Sequence, residues 1–365
     1  MACSGISVLI CTYNGSKRLS KTLTHLAAQQ TGDDVSWEII LVDNNSLDNT
    51  SVVATDTWKQ LASHVPLSVF NEPRAGKSFA LETGMAKAGY DILLICDDDN
   101  WLEKNYVQYA YEFMRQNKQV GILGGAAIPY PDSEKPLWFD KYENVFAAGK
   151  QMPYSGIANK KNYLFGAGMV IRKDIYKTIE ALGHNMFLTC RKGKELSSGG
   201  DSELCLLAMQ LGYDLYYDER LQFTHYISPN RLKWSYCVEM LTKGFAHPQI
   251  YYAMYDYCFN AVNKNEAAHF EDLYRWNMRK QKRILLNELK GAGNFFNTVT
   301  SLLHSKPGND KEIRLKTAIN KLRYIKKNKQ QLAADFETIL ALAKRMQQLK
   351  ISILEQGKQQ FIQQK

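Results

Sequence analysis

Apolar residues fall in short runs separated by amphipathic stretches through the first hundred positions. Ile6-Ser-Val-Leu-Ile-Cys is too short for a helix and reads as a buried strand. Helical spacing follows over residues 17–29. Glu38-Ile-Ile-Leu-Val is a second strand, 51–61 a second helix and 67–70 a third strand. A third helix over 77–87 leads into Asp91-Ile-Leu-Leu-Ile-Cys, a fourth strand. Such alternation folds as a mostly parallel sheet covered by helices. Ligands of such sheets lie beyond the carboxyl ends of the strands. Those ends carry Thr12-Tyr13-Asn14, Asp43-Asn44-Asn45 and Asp97-Asp98-Asp99-Asn100.

From about 121 to 173 the pattern loosens, and Pro129, Pro131, Pro136 and Pro153 predict loops and short strands. Residues 166–171 read as a strand, 201–211 as a helix, and 214–217 and 221–226 as two further strands. Past Pro229 the chain turns helical, with a dense aromatic stretch over 234–259. The last element repeats Leu332, Phe336, Ile339, Leu340 and Ala343 at the spacing of a packing or coiled-coil helix. The expected organisation is an α/β domain over 1–230, with halves at about 1–125 and 126–230, followed by a helical region over 231–365.

Composition adds little to this until charge is considered. With 365 residues, 45% of them apolar, the chain can bury a full core. The net charge of +9 is concentrated after Arg275. It suits an anionic partner or a solvated basic tail. Cys3, Cys11, Cys96, Cys190, Cys205, Cys237 and Cys258 form no C-x-x-C pair and are odd in number. They read as reduced thiols of a cytoplasmic protein. No basic region precedes the first strand, so no secretory leader is expected. No apolar run approaches the ~20 residues of a membrane span. The protein is expected to be soluble or peripheral.

The strongest chemical signal is Asp97-Asp98-Asp99 at the end of a buried strand. Carboxylates this close raise one another's pKa unless a cation intervenes. A divalent ion, Mn²⁺ or Mg²⁺, suits oxygen donors and also holds phosphates. The competing reading is an acidic cap on a helix starting near Trp101. Gly199-Gly200-Asp201-Ser202-Glu203 opens a helix, and its carboxylates are candidate general bases or, in Asp201, a simple N-cap. His225, at another strand end, is a candidate metal ligand or a structural histidine. Arg74, Lys77 and Arg231 are candidate phosphate contacts, the first two at a helix N-terminus.

Taken in order, Ile6-Ser-Val-Leu-Ile-Cys-Thr-Tyr-Asn, Glu38-Ile-Ile-Leu-Val-Asp-Asn-Asn-Ser, the aspartate triplet and Gly199-Gly-Asp-Ser-Glu-Leu resemble the family 2 glycosyltransferases with the GT-A fold. The resemblance runs from about 6 to 234. It implies a Rossmann-like, mostly parallel sheet flanked by helices, and inverting transfer of a sugar from a nucleotide diphosphate to an acceptor hydroxyl. Uridine is the commonest base in such donors. The resemblance assigns the nucleoside to Thr12, Tyr13, Asn14 and Asp43, with Asp98 a further nucleotide contact; Asn45, Arg74, Lys77 and Asp97 are candidate donor contacts by their positions at strand ends and at a helix N-terminus. It assigns the metal to Asp97 and Asp99, which His225 would join. Arg231 and Trp234 fall to the phosphates or the acceptor. The family's acidic pair is reduced here to Asp201, which leaves Glu203 as a rival base. Asn230-Arg-Leu-Lys-Trp is a degenerate form of the processive synthases' Q-x-x-R-W. That departure argues against a processive polymer synthase.

The expected role is therefore sugar transfer in bacterial surface polysaccharide or glycan assembly, onto a glycan or lipid-linked acceptor, with no nucleic-acid partner. A nucleotidyltransferase would carry a Gly-rich basic loop after the first strand, where this chain has only Gly15 within Thr12-Tyr-Asn-Gly-Ser-Lys-Arg. A non-catalytic scaffold is the other alternative. The aromatic stretch 234–259 and the basic helices from Arg275 to Lys329, with Lys321, Arg323, Lys326, Lys327 and Lys329 beside Ile319, Leu322 and Ile325 as a basic amphipathic face, are expected to dock on an anionic membrane at the inner face of the plasma membrane. Packing within the chain or homodimerisation through the last helix would use the same residues differently.

Overall fold

The computed structural model describes residues 4–188, 198–290 and 306–363. Cys3, Cys190 and the Gly291-Ala-Gly break lie outside them. Two compact units result: 1–179 with 188–233, and 180–187 with 234–365.

The first unit is a mixed α/β domain. Strands β1 (Ile6–Thr12), β2 (Trp37–Asp43), β3 (Leu67–Asn71) and β4 (Ile92–Ile95) alternate with helices α1 (Leu19–Ala27), α2 (Thr50–Leu61) and α3 (Lys77–Lys87). β5 (Asn100–Leu102), α4 (Tyr106–Gln116), β6 (Val120–Pro131), β7 (Gly156–Ile157), β8 (Val170–Arg172), α5 (Lys173–Ala181), α6 (Gly200–Gln210) and β9 (Asp214–Ile227) follow. Among the described residues these strands make one sheet ordered β3-β2-β1-β4-β8-β6-β9-β5, with β7 on β9. The β3-β2-β1-β4 half is parallel, as its helical crossovers require. β8 is antiparallel to both its neighbours, and β5 to β9, so the other half is mixed.

Side-chain alternation along β1 and β2 builds the two layers. Val8, Ile10, Ile39 and Leu41 join the fully buried Leu19, Leu23 and Leu26 of α1 in one core cluster. On the opposite face α3 comes close because Gly84 has no side chain, and an added Cβ would already touch Val42 at 3.4 Å. The acidic triplet does not cap a helix at Trp101. A short strand, β5, follows it, and α4 begins only at Tyr106.

Two expectations about 121–226 need correction. β6 runs unbroken through Pro129 and Pro131. Its partner β8 reaches only to Leu123, so beyond that point one edge of β6 is largely open and a missing N–H there costs little. The two strands expected over 214–226 are one, β9, kinked where its pairing with β6 shifts register between Gly124 and Ala126. At that bulge a Cβ on Gly125 would lie 1.9 Å from the Leu221 carbonyl oxygen, so only glycine fits.

The second unit is helical: α7 (Trp234–Glu239), a π-type turn at Met240–Gly244, α8 (Pro248–Asn263), α9 (Phe270–Lys290), α10 (Asp310–Lys327) and α11 (Lys329–Gln363). The apolar repeat of α11 is buried inside this unit, with Leu332, Phe336, Ile339, Leu342 and Met346 all under 3% exposed. Tyr251 of α8 donates to Asp335 of α11 at 2.7 Å. Among the described residues no helix is long and apolar enough to cross a membrane. Cys96, Cys205, Cys237 and Cys258 are buried free thiols, and Cys11 is half-buried.

Candidate active site

The parallel register brings the strand ends together. Thr12 pairs with Asp43, and the Asn44 amide donates to the Thr12 carbonyl at 2.8 Å. Asp43 is buried and turned into its own loop, accepting from the Ser46 amide (3.0 Å) and the Ser51 hydroxyl (2.6 Å). Asn14, at φ +48°, accepts from the Leu47 amide at 2.8 Å and so ties the β1 loop to the β2 loop. Asn45 also has positive φ, and Tyr13 is 55% exposed above these loops. Thr12, Asn14 and Asp43 thus shape a rim, and Tyr13 is the side chain on it free to stack on a planar ligand.

Each carboxylate of the triplet meets a cation of the chain. Asp97 forms an ion pair with Lys77, the first residue of α3. Asp98 is buried and takes a two-pronged contact from Arg18 (Nε 3.2 Å, Nη2 2.8 Å) and a hydrogen bond from Thr12 (2.6 Å). Burial, and next the Asp99 charge, push its pKa up despite Arg18. Asp99 faces His225 Nε2 at 3.5 Å and Arg231 Nη1 at 3.4 Å. Burial pushes the Asp99 carboxyl up, but His225, with Arg231 and Arg18, outweighs it and holds the group well below the usual range. The fold thus supplies each of the three charges with a counter-charge of its own.

His225 is set by strand pairing: it sits opposite Asn100 of β5, and its Nδ1 faces the Ala147 carbonyl at 3.4 Å. In that orientation Nε2 is left directed toward Asp99 and Arg231. Among the described residues no group of three His, Cys, Asp or Glu side chains is placed to hold a metal. The pair Asp99 and His225 nonetheless suits a cation. Arg231 Nη1 already lies 3.4 Å from one and 3.5 Å from the other. Asp97 is turned to Lys77 instead.

Arg74 is committed elsewhere. It forks onto Glu72 (2.9 and 2.8 Å), reaches Glu82 at 3.3 Å and lies over the Phe79 ring. Lys77 is better placed, because its charge is felt both at Asp97 and at Asp201.

The two candidate bases separate clearly. Asp201, in the first turn of α6, accepts from the Gly166 amide (3.0 Å) and the Ser202 amide (2.8 Å). Burial raises its pKa, and those two amides and Lys77 only moderate the rise. Glu203 is fully buried and accepts from the Leu188 amide at 2.7 Å. Its carboxylate thus holds the backbone at Leu188. Trp234 belongs to the second unit.

Three contributors escaped the sequence reading. Arg18 stands four residues past Asn14, at the start of the helix expected over 17–29. Asn44 is buried and clamps the next loop, donating to the Glu72 (3.1 Å) and Arg74 (2.7 Å) carbonyls and accepting from the Gly76 amide (2.7 Å). Asn100, wholly buried, accepts from the Asp97 amide (3.1 Å) and donates to Asp99 (3.2 Å), which fixes the turn of the triplet. Both asparagines lie within strand-end segments already singled out, and their burial was the missing signal.

The sequence over 7–179 matches a known family along its whole nucleotide-side architecture, from β1 into α5. That family is glycosyl transferase family 2, whose model residues 7–179 match. The match takes in the aspartate triplet and stops before Asp201, His225 and Arg231. Relatives include a poly-β-1,6-N-acetyl-D-glucosamine synthase of Staphylococcus epidermidis, 29% identical over 121 residues, which are 33% of this chain and 28% of that protein. The glycosyltransferase GlyG of Streptococcus pneumoniae is 28% identical over 134 residues, 37% of this chain and 42% of that protein. The chain thus spans well under half the length of these relatives. Among solved structures, S. aureus TarS 1–349 in complex with UDP-GlcNAc aligns with a TM-score of 0.48 at 15% identity, over 90% of this chain and 92% of that one.

Proposed function

We propose that this protein transfers a sugar from a uridine-diphosphate donor to an acceptor hydroxyl by a single displacement that inverts the anomeric carbon, in bacterial surface glycan assembly. The observation that carries the reading is the arrangement around Lys77. One strand end presents Asp97, Asp98 and Asp99 with Lys77 and Arg231 beside them, and a half-buried Asp201 with raised pKa feels the same Lys77. Carboxylates with interspersed cations suit a diphosphate leaving group, and a separate carboxylate suits an incoming hydroxyl.

In the proposed reaction Asp201 takes the proton of the acceptor hydroxyl as that oxygen bonds to the anomeric carbon. The bond from that carbon to the diphosphate breaks, and its electron pair leaves with the nucleotide. Lys77 and Arg231 face the diphosphate and stabilise the charge that develops there. Tyr13 stacks on the base, with the Asn14 and Asp43 loops shaping its rim. Asp99 and His225 would hold a divalent ion, which would supply further charge neutralisation at the leaving group. The acceptor is a glycan or lipid-linked hydroxyl, which brings the enzyme to the cytoplasmic surface of a membrane. An N-acetylglucosamine donor is the first to test, given the relatives named for that sugar.

The test is a panel of nucleotide sugars, with release of nucleoside diphosphate followed in the presence of Mn²⁺ or Mg²⁺. Turnover of one or more UDP-sugars is expected. A protein that releases no diphosphate from any donor, while binding none of them by calorimetry, would not be a transferase of this kind.

A further inference from the structure

The second unit carries a surface that the transfer reaction does not use. Of the basic amphipathic face expected around 319–329, Arg323, Lys326 and Lys327 are exposed, but its apolar side is turned into the unit. Lys321 is 9% exposed and hydrogen-bonded to Gln249, and Ile325 is buried. Arg314 of the same helix is tied to Glu288. α9 is different. Leu273, Asn277 and Gln281 mark its buried side. On the opposite side Arg275, Trp276, Arg279, Lys282, Arg283 and Leu286 are all exposed. At 100° per residue they fall within about 120° of arc. Trp276 is 51% and Leu286 55% exposed among these four cations, and the exposed Lys280 ammonium lies 4.7 Å from the centre of the Trp276 ring. Among the described residues no carboxylate pairs with Arg275, Arg279, Lys282 or Arg283, and the nearby Glu271 is taken by Lys329. Asp272 is the acidic group at the N-terminal end of this face.

We infer that this face of α9 docks on a bilayer bearing anionic headgroups. The four cations meet the lipid phosphates, while Trp276 and Leu286, about three turns apart, enter the boundary beneath them. A second copy of the chain would set like charges against one another. Nucleic acid would use the cations but offers nothing to Leu286. The inference stands on the helix surface alone and does not depend on the identity of the transfer reaction.

Co-sedimentation of the full chain with vesicles tests it, using phosphatidylcholine alone and phosphatidylcholine with phosphatidylglycerol, at low and high salt. Binding is expected only to the phosphatidylglycerol vesicles and should weaken as salt rises. Each cation removed should cost roughly fivefold in partitioning. The variant R275E/R279E/K282E/R283E should therefore stay in the supernatant with an unchanged circular dichroism spectrum, and Trp276→Ala with Leu286→Ser should bind more weakly at every salt concentration. Wild type remaining in the supernatant at low salt, the charge-reversed variant sedimenting like wild type, or retention on poly(dT) without vesicle binding would each overturn the inference.

Discussion

Replacing Asp201 by Asn removes the proposed base while keeping the shape of the side chain. The carboxylate accepts from two backbone amides, Gly166 at 3.0 Å and Ser202 at 2.8 Å. An amide side chain keeps one acceptor oxygen, so one of those bonds survives and the other N–H faces an NH₂ group. The stability cost is then about 1–3 kcal/mol, a fall in melting temperature of a few degrees. Turnover should fall roughly 10²–10⁴-fold, as for loss of a general base. Donor affinity, read by calorimetry with UDP, should hold within a few-fold. Glu203→Gln is the control: its carboxylate is buried on the Leu188 amide, so it should lose stability and less than about tenfold in turnover. The pH profile adds an independent check. Burial raises the Asp201 pKa, and the base must be ionised to act. The acid limb of kcat/KM should therefore lie above the ordinary aspartate value of about 3.9, with activity lost as pH falls through that raised pKa. Full activity in Asp201→Asn together with collapse in Glu203→Gln would refute the assignment.

Other outcomes follow from the same geometry. Asp99→Asn should lose on the order of 10²-fold or more in turnover, and chelator should abolish wild-type activity until Mn²⁺ or Mg²⁺ is restored; chelator-resistant turnover would remove the ion from the mechanism. Gly15→Ala places a Cβ 2.0 Å from Thr12 Oγ1 and 2.6 Å from Asp98 Oδ2, so thermal unfolding should show a loss of about 1–3 kcal/mol. Arg18→Met leaves Asp98 buried without its fork; because Arg18 is 35% exposed, the cost measured by denaturant should be about 1–3 kcal/mol, below that of a fully buried pair. Burial, aided by Lys280, lowers the Lys321 pKa to about 8. An unfolded lysine titrates near 10.4, so stability should rise as pH climbs from about 8 toward that value. Lys321→Met should flatten that rise and stabilise the fold at pH 7, read from melting temperatures across pH.

The first four strands and three helices were legible because their signals are local: short apolar runs, helical spacing and polar strand ends. β6 was not, because the harm a proline does depends on whether a neighbouring strand needs its N–H, and only the sheet order settles that. The break expected within β9 came from the polar Asp218-Glu-Arg220, yet Asp218 is 3% exposed and is satisfied by Arg220 on the same strand. In the site the carboxylates were readable and their counter-ions were not. Lys77 lies 20 residues from Asp97, Arg18 lies 80 from Asp98, and Arg231 lies 132 from Asp99. Spacing carries no information over such separations. Asp201 and Glu203 could not be told apart on paper because they differ in burial and hydrogen bonding, not in residue type.

The pairing of each aspartate with its own cation has a consequence for how the protein meets an anion. Lys77 and Arg231 begin bound to Asp97 and Asp99, so a diphosphate that recruits them must displace a carboxylate. Ligand capture at this strand end is then a swap of partners, with much of the attraction to the newcomer cancelled by the bond given up. Affinity for a bare nucleotide would be modest and salt would perturb it little, since charge pairs are traded and few are created. The aspartates released by the swap would become available together, and only while the anion is in place.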